Sequence, residues 1–105
     1  MVRKKTLVVS EYVDGFVYNK QGDIIYNEIS RILLNNEAVE ISLENVNVVT
    51  SSFLNSAFVR FTDYLTFNEF KQKLIFKNGQ PHVINMIKDR IIFAYQSNSK
   101  KIVKR

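Results

Sequence analysis

Cysteine is absent from the 105 residues, and there are one histidine, one proline and three glycines. Lack of cysteine excludes disulfides, thiolate metal sites and cysteine nucleophiles together, and fits a reducing compartment. With His82 alone and no thiolate, no zinc constellation can be assembled, and no motif links His82 to a serine and an acid as a hydrolytic triad. The glycines, Gly15, Gly22 and Gly79, each stand alone where a turn is expected, so phosphate-loop and dinucleotide patterns are missing. Glu40 and Glu44 fall on or near the polar side of an expected strand, where carboxylates are ordinarily solvated. Nothing positive therefore points to an enzyme, a cofactor or a metal. No apolar run approaches the ~20 residues of a membrane span. The opening MVRKKTLVVS lacks the apolar core and small-residue cleavage site of a signal peptide, so a cytoplasmic location is expected.

What is present suits one folded domain. Apolar residues make up 46% of the chain and charged residues 24%, ordinary values for a soluble domain with a substantial core. The net charge of +5 is unevenly placed. Arg3, Lys4 and Lys5 lie near one end and Lys100, Lys101, Lys104 and Arg105 at the other. Setting these seven aside leaves eight basic against ten acidic residues, a net of −2 for the body. The division expected is a body over about residues 6–95 and a basic, flexible tail over 96–105, within a single domain spanning 1–105.

The central stretch is Val46 to Thr66. A short apolar run, Val46 to Val49, reads as the end of a strand. It meets Thr50-Ser51-Ser52, and a stripe of Phe53, Leu54, Ala57, Phe58, Phe61 and Leu65 follows at helical spacing. Ser51 or Ser52 is the expected N-cap, since a serine oxygen can accept a hydrogen bond from an open first-turn N–H. Upstream, Thr6 to Val13 reads as a strand. Asp14-Gly15 before Phe16-Val17-Tyr18 signals a type I′ hairpin, which needs positive φ at both turn residues. Tyr12, Phe16 and Tyr18 would then either form an exposed aromatic patch able to stack on single-stranded nucleic acid with Lys20, or alternate into the core. Asn19 to Gly22 is expected as a loop. Ile25, Ile29, Ile32 and Leu33 mark an amphipathic helix with Asp23 as its cap or first-turn acid.

Val39, Ile41 and Leu43 alternate with Glu40 and Ser42 in a half-buried strand. Phe67 to Lys71 looks irregular or like a helical extension, and Lys73 to Lys77 is a short strand. Pro81 opens a last helix carrying Val83, Ile84, Ile87, Ile91 and Tyr95 on one face. The expected fold class is α/β: a small sandwich with a mixed four-stranded sheet, an N-terminal β-hairpin and about three helices. Val39, Ile41, Leu43, Phe58, Phe61, Ile75, Ile87 and Ile91 should share one core.

The strand EISLENVNVVT, the corner SSFLNSAFVRF, the strand KLIFKN and the helix around VINMIKDRII resemble the STAS-like domain of unknown function. This bacterial family is related to the STAS domains of anti-sigma-factor antagonists. The resemblance covers about Thr6 to Tyr95 and implies a STAS-like fold. In phosphorylatable STAS antagonists the corner reads acid, serine, serine, glycine, leucine, and an ATPase-type kinase partner phosphorylates the first serine. The matching run is Thr50, Ser51, Ser52, Phe53 and Leu54, so Ser51 falls at the phosphorylated position. Thr50 stands where the acid would, and Phe53 where the glycine would. The resemblance implies a non-enzymatic, regulatory protein–protein interaction module. Its contact or modification site would be Thr50, Ser51, Ser52 and Asn55, and its partner an ATPase- or kinase-like protein. The alternative is a small nucleic-acid-binding accessory protein using its basic termini.

Overall fold

Thr6, Leu7 and Val8 belong to a run of β-formers, and they fall in the first strand, β1 (Lys4–Val8). Two further strands follow, β2 (Ala38–Ser42) and β3 (Leu74–Lys77). The helices are α1 (Asn19–Leu33), α2 (Ser51–Ala57), α3 (Phe67–Lys73) and α4 (Pro81–Val103), with 3₁₀ turns at Val9–Glu11 and Val59–Asp63. The computed structural model describes residues 3–103, with side chains described as far as Ser97.

The sheet has the order β1-β2-β3 and is parallel throughout. Its register sets Leu7 beside Ile41 and Ile41 beside Phe76. Side chains alternate across a strand, so Leu7, Val39, Ile41, Leu74 and Phe76 form one face. That face meets the helices. Phe58 packs edge-on against Phe76 with ring centroids 5.0 Å apart, Phe53 meets Phe58 at 6.2 Å, and Phe16 meets Phe53 at 5.8 Å. Ile25, Ile29 and Ile32 of α1 and Val83, Ile87 and Ile91 of α4 join the same buried cluster. On the other face Glu40 lies between two lysines, with Lys4 Nζ at 3.1 Å and Lys77 Nζ at 3.3 Å. Right-handed crossovers between parallel neighbours in this strand order put every connection on one side, which is why the polar face keeps its ion pairs.

Several expectations are corrected. Among the described residues there is no N-terminal hairpin, so the sheet is three-stranded and parallel rather than four-stranded and mixed. β1 ends at Val8, and no glycine among the described residues has positive φ, so Asp14-Gly15 does not make a type I′ turn. Phe16 turns to Phe53 instead of pairing in a strand, and the Gln21 side chain accepts the amide hydrogens of Val17 and Tyr18 at 3.2 and 3.1 Å. Those bonds start α1 at Asn19, so the segment read as a loop is its first turn. Tyr12 and Tyr18 remain exposed. Asp23 sits within α1, where it pairs with Arg60 at 2.9 Å rather than capping.

Val46 to Val49 belongs to no strand; β2 has already ended at Ser42. The expected long central helix is broken after Ala57. Phe58 leaves helical geometry at φ −125°, and a 3₁₀ turn carries Phe61 inward. The run Phe58 to Thr62 is rich in β-branched and aromatic residues, which hold a helix weakly. Thr62 Oγ1 donates to the Val59 carbonyl at 2.7 Å, and Arg60 Nε to that of Ser56 at 3.0 Å. Phe67 to Lys73 is a separate helix with a capping box. Thr66 Oγ1 accepts from Glu69 N at 3.1 Å, and Glu69 Oε1 from Thr66 N at 2.8 Å. Among the described residues four α-helices thus replace about three.

The core is otherwise as read. Val39, Ile41, Leu43, Phe58, Phe61, Ile87 and Ile91 are buried, while Ile75, on an edge strand, is half-buried. The backbone of α4 continues past Gln96 to Val103. The side chains of the expected tail beyond Ser97 lie outside the described residues.

Candidate functional site: the serine corner at the carboxyl ends of the strands

All three strands run the same way, so their carboxyl ends lie together. In open α/β sheets this is the end where ligands and partners are met, because the loops and helix N-termini gather there. Three segments leave this end: Val9 to Tyr18 toward α1, Leu43 to Thr50 toward α2, and Asn78 to Gln80 toward α4.

Polar contacts join the segments. Leu43 N donates to the Lys77 carbonyl at 2.8 Å and Asn78 Nδ2 to Ser42 Oγ at 3.0 Å. The Gln80 side-chain amide bonds Asn47 Oδ1. His82 Nε2 lies 2.7 Å from the Asn47 carbonyl. A carbonyl can only accept, so Nε2 carries the hydrogen. His82 therefore ties the loop before α2 to the start of α4. Asn45 and Asn78 turn the chain with φ of 65° and 60°, a conformation asparagine tolerates better than most residues.

Thr50 is the hinge of the corner. Its Oγ1 accepts from Phe53 N at 3.2 Å, making it the N-cap of α2, and donates to the Val17 carbonyl. Its amide donates to the Phe16 carbonyl at 3.2 Å. The cap is thus Thr50, and not Ser51 or Ser52 as the sequence suggested. One hydroxyl with one hydrogen fills both roles, which a register-based reading of three consecutive hydroxyl residues could not assign.

Ser51 and Ser52 occupy the first two helical positions, both exposed. Among the described residues neither hydroxyl makes a hydrogen bond, so neither has structural work. Asn55 lies one turn on, also exposed, with Oδ1 3.4 Å from Arg90 Nη2 of α4. The four residues singled out all lie at the start of α2, but Thr50 is committed to the fold and Asn55 leans on α4. Only the two serines are free.

Two apolar side chains on the adjoining segments are also exposed. Tyr18 is 68% exposed, and Val48, two residues before the cap, is 66% exposed. Sequence reading missed Val48 because it sits in an apolar run; its neighbours Val46 and Val49 turn inward and it alone faces out.

A second polar group was not visible in the sequence. Arg60 stacks over the Tyr26 ring at 3.9 Å while bonding Asp23, and the Tyr26 and Tyr64 hydroxyls lie 2.7 Å apart. Burial and the Tyr26 hydrogen bond push the Tyr64 phenol up to about 12. It stays protonated at neutral pH and can serve as a clasp between α1 and the 3₁₀ turn rather than as a base. Among the described residues no three histidine or carboxylate side chains gather as a metal site, and no helix is long and apolar enough to cross a membrane.

Comparison with known proteins gives one finding. The family described as "STAS-like domain of unknown function (DUF4325)" matches residues 21–83, from the first turns of α1 to the first turn of α4. The matched span includes β2, the serine corner, α3 and β3. Neither the curated proteins nor the solved structures yield a match. With well over half of its length matched, including the corner and the two strands beside it, this chain belongs to the family of STAS-like domains of unknown function.

Proposed function

We propose that the domain is a non-enzymatic, STAS-type regulatory module that binds a partner protein through the serine corner. The observation that carries this is the division of labour at the start of α2. Thr50 caps the helix and bonds the Val17 carbonyl, and Ser51 and Ser52 are left exposed, as are Val48 just before the cap and Tyr18 next to Val17. Unpartnered hydroxyls together with exposed apolar side chains on adjoining segments suit a protein contact, where apolar area is buried and donors can pair across the interface. The resemblance to STAS antagonists adds an ATPase- or kinase-like partner, and phosphorylation of Ser51 as the switch. A phosphate on the first residue of α2 would change the charge met by the partner while leaving the Thr50 cap in place.

The test begins with affinity capture and mass spectrometry to identify the partner, followed by binding isotherms. Ser51→Asp and Ser51→Ala should both fold normally, and the aspartate should weaken binding. A charge desolvated at a contact without a counter-charge is costly. Equal binding by wild type and both variants would remove Ser51 from the interface. The isotherms should also change little with salt. A steep fall with rising salt would favour phosphate contacts by the basic ends, because each neutralised phosphate releases counterions.

A further inference from the structure

We infer that the outer edge of β3 is a docking site for an extended, acid-flanked apolar segment of a partner protein, which would add as a fourth strand. β3 is the last strand of the sheet. Leu43 N–H bonds the Lys77 carbonyl, so Ile75 and Lys77 direct their backbone groups toward β2. Backbone groups alternate in a strand, which turns the Phe76 N–H and C=O to the open edge. A groove of about 550 Å³ lies along this edge between α3 and α4. Phe67 and Phe70 of α3, Phe76, and Ile84, Ile87 and Ile91 of α4 make it apolar. An edge with free backbone groups beside pockets for alternate side chains is what strand addition requires.

Charge selects the occupant. Lys71 and Lys88 stand in the groove lining, no acidic residue does, and both lysines are exposed. Two candidates fail on this ground. A second copy pairing β3 antiparallel to β3 would bring the lysines that bound each strand, Lys73 and Lys77, to a common seam, and like charges close across a strand pair are unfavourable. Flanking lysines are also a common means of keeping edge strands of identical chains apart. The chain's own segment Lys100 to Arg105 is basic and would meet Lys71 and Lys88 with the same sign. A partner strand with acids at its ends satisfies backbone, groove and rim together. None of these residues belongs to the serine corner, so the two contacts can succeed or fail separately.

The test uses a fluorescein-labelled seven-residue peptide alternating valine and threonine, with an aspartate at each end, and a control with lysines in those places. Anisotropy titrations should show binding of the aspartate peptide. Binding should weaken by about tenfold or more for the lysine peptide, and for the aspartate peptide with the Lys71→Glu/Lys88→Glu variant, where rim attraction becomes repulsion. Amide exchange of Phe76 should slow in the complex. Absence of binding at millimolar peptide, equal binding of both peptides, or unchanged Phe76 exchange would each overturn the proposal. So would a concentration-dependent dimer in sedimentation that the peptide fails to dissociate. A circular dichroism spectrum matching wild type shows that the double variant is folded; both changes are at exposed sites, and the peptide pair tests the charge rule on the unmodified domain in any case.

Discussion

Thr50 concentrates three contacts in one side chain and its own amide, while the serines beside it hold none. Thr50→Ala should therefore cost about 1–2 kcal/mol, the upper part of the range for losing a helix cap, since the Val17 carbonyl also loses its donor. Ser51→Ala should stay within about 0.5 kcal/mol, as exposed substitutions without partners do. Thermal melts of the two variants check this, with each kcal/mol moving the midpoint by roughly 4–8 °C in a domain of this size. Comparable losses would mean that the cap is shared. Gly22 makes a second case. A Cβ there would come within 2.6 Å of the Phe53 carbonyl oxygen and 2.7 Å of Ser56 Cβ. Alanine is the better helix former by about 1 kcal/mol, but overpacking costs about 1–3 kcal/mol. The clash is with the backbone of α2, which cannot rotate away, so Gly22→Ala should destabilise on balance by about 1–2 kcal/mol in a denaturant titration. The sequence presented this glycine as one of three turn residues, because the absence of a side chain looks the same whether it frees a turn or admits a neighbouring helix.

Among elements, those whose pattern reports burial were legible and those decided by competition were not. β2 and β3 were read from alternation and a lysine-bounded run, and the buried residues Phe53, Leu54, Ala57, Phe58 and Phe61 from their spacing. Burial of these five survives even though the single helix that justified it does not, because the 3₁₀ turn after Phe58 delivers Phe61 to the same side. The hairpin failed for the opposite reason. Asp14-Gly15 has the right local chemistry, yet Phe16 gains more by packing on Phe53, and local signals carry no term for that distant partner. The capping box of α3 is written in the sequence as Thr66-x-x-Glu69, but the apolar stripe that runs up to Leu65 masks it as a helical continuation. At the candidate site the hydroxyl cluster was legible, but its division of roles depended on the Val17 carbonyl, 33 residues away.

For the molecule as a whole, Glu40 is the charged group most closely bound into the sheet, with its side chain 18% exposed between Lys4 of β1 and Lys77 of β3. Hydrogen bonds from Lys4 first and Lys77 next hold its carboxyl below the ordinary value of 4.5. A lowered folded-state value means that the carboxylate stabilises the fold fully above the unfolded-state value. That contribution is lost as the pH falls through the folded-state value. Wild type should therefore lose stability on acidification below about pH 4.5, and Glu40→Gln should show a shallower acid limb in melts followed from pH 7 to pH 3. Parallel limbs would mean that the bridge across the three strands adds nothing.

The common direction of the strands has a practical consequence. Arg3, Lys4 and Lys5 mark the amino end of the sheet, and the serine corner marks the other, about 17 Å away for a five-residue strand. Because the chain has no cysteine of its own, a single thiol introduced as Lys5→Cys, at an exposed site, would be the only point of attachment to a sensor surface. The domain would then be presented upright, with Ser51 and Ser52 toward the flowing solution and β1 nearest the support. Attachment through Ser52→Cys would invert it and shield the corner. The ratio of partner captured in the two orientations would report which pole of the domain is used, since in each orientation the pole left facing the solution is unaltered.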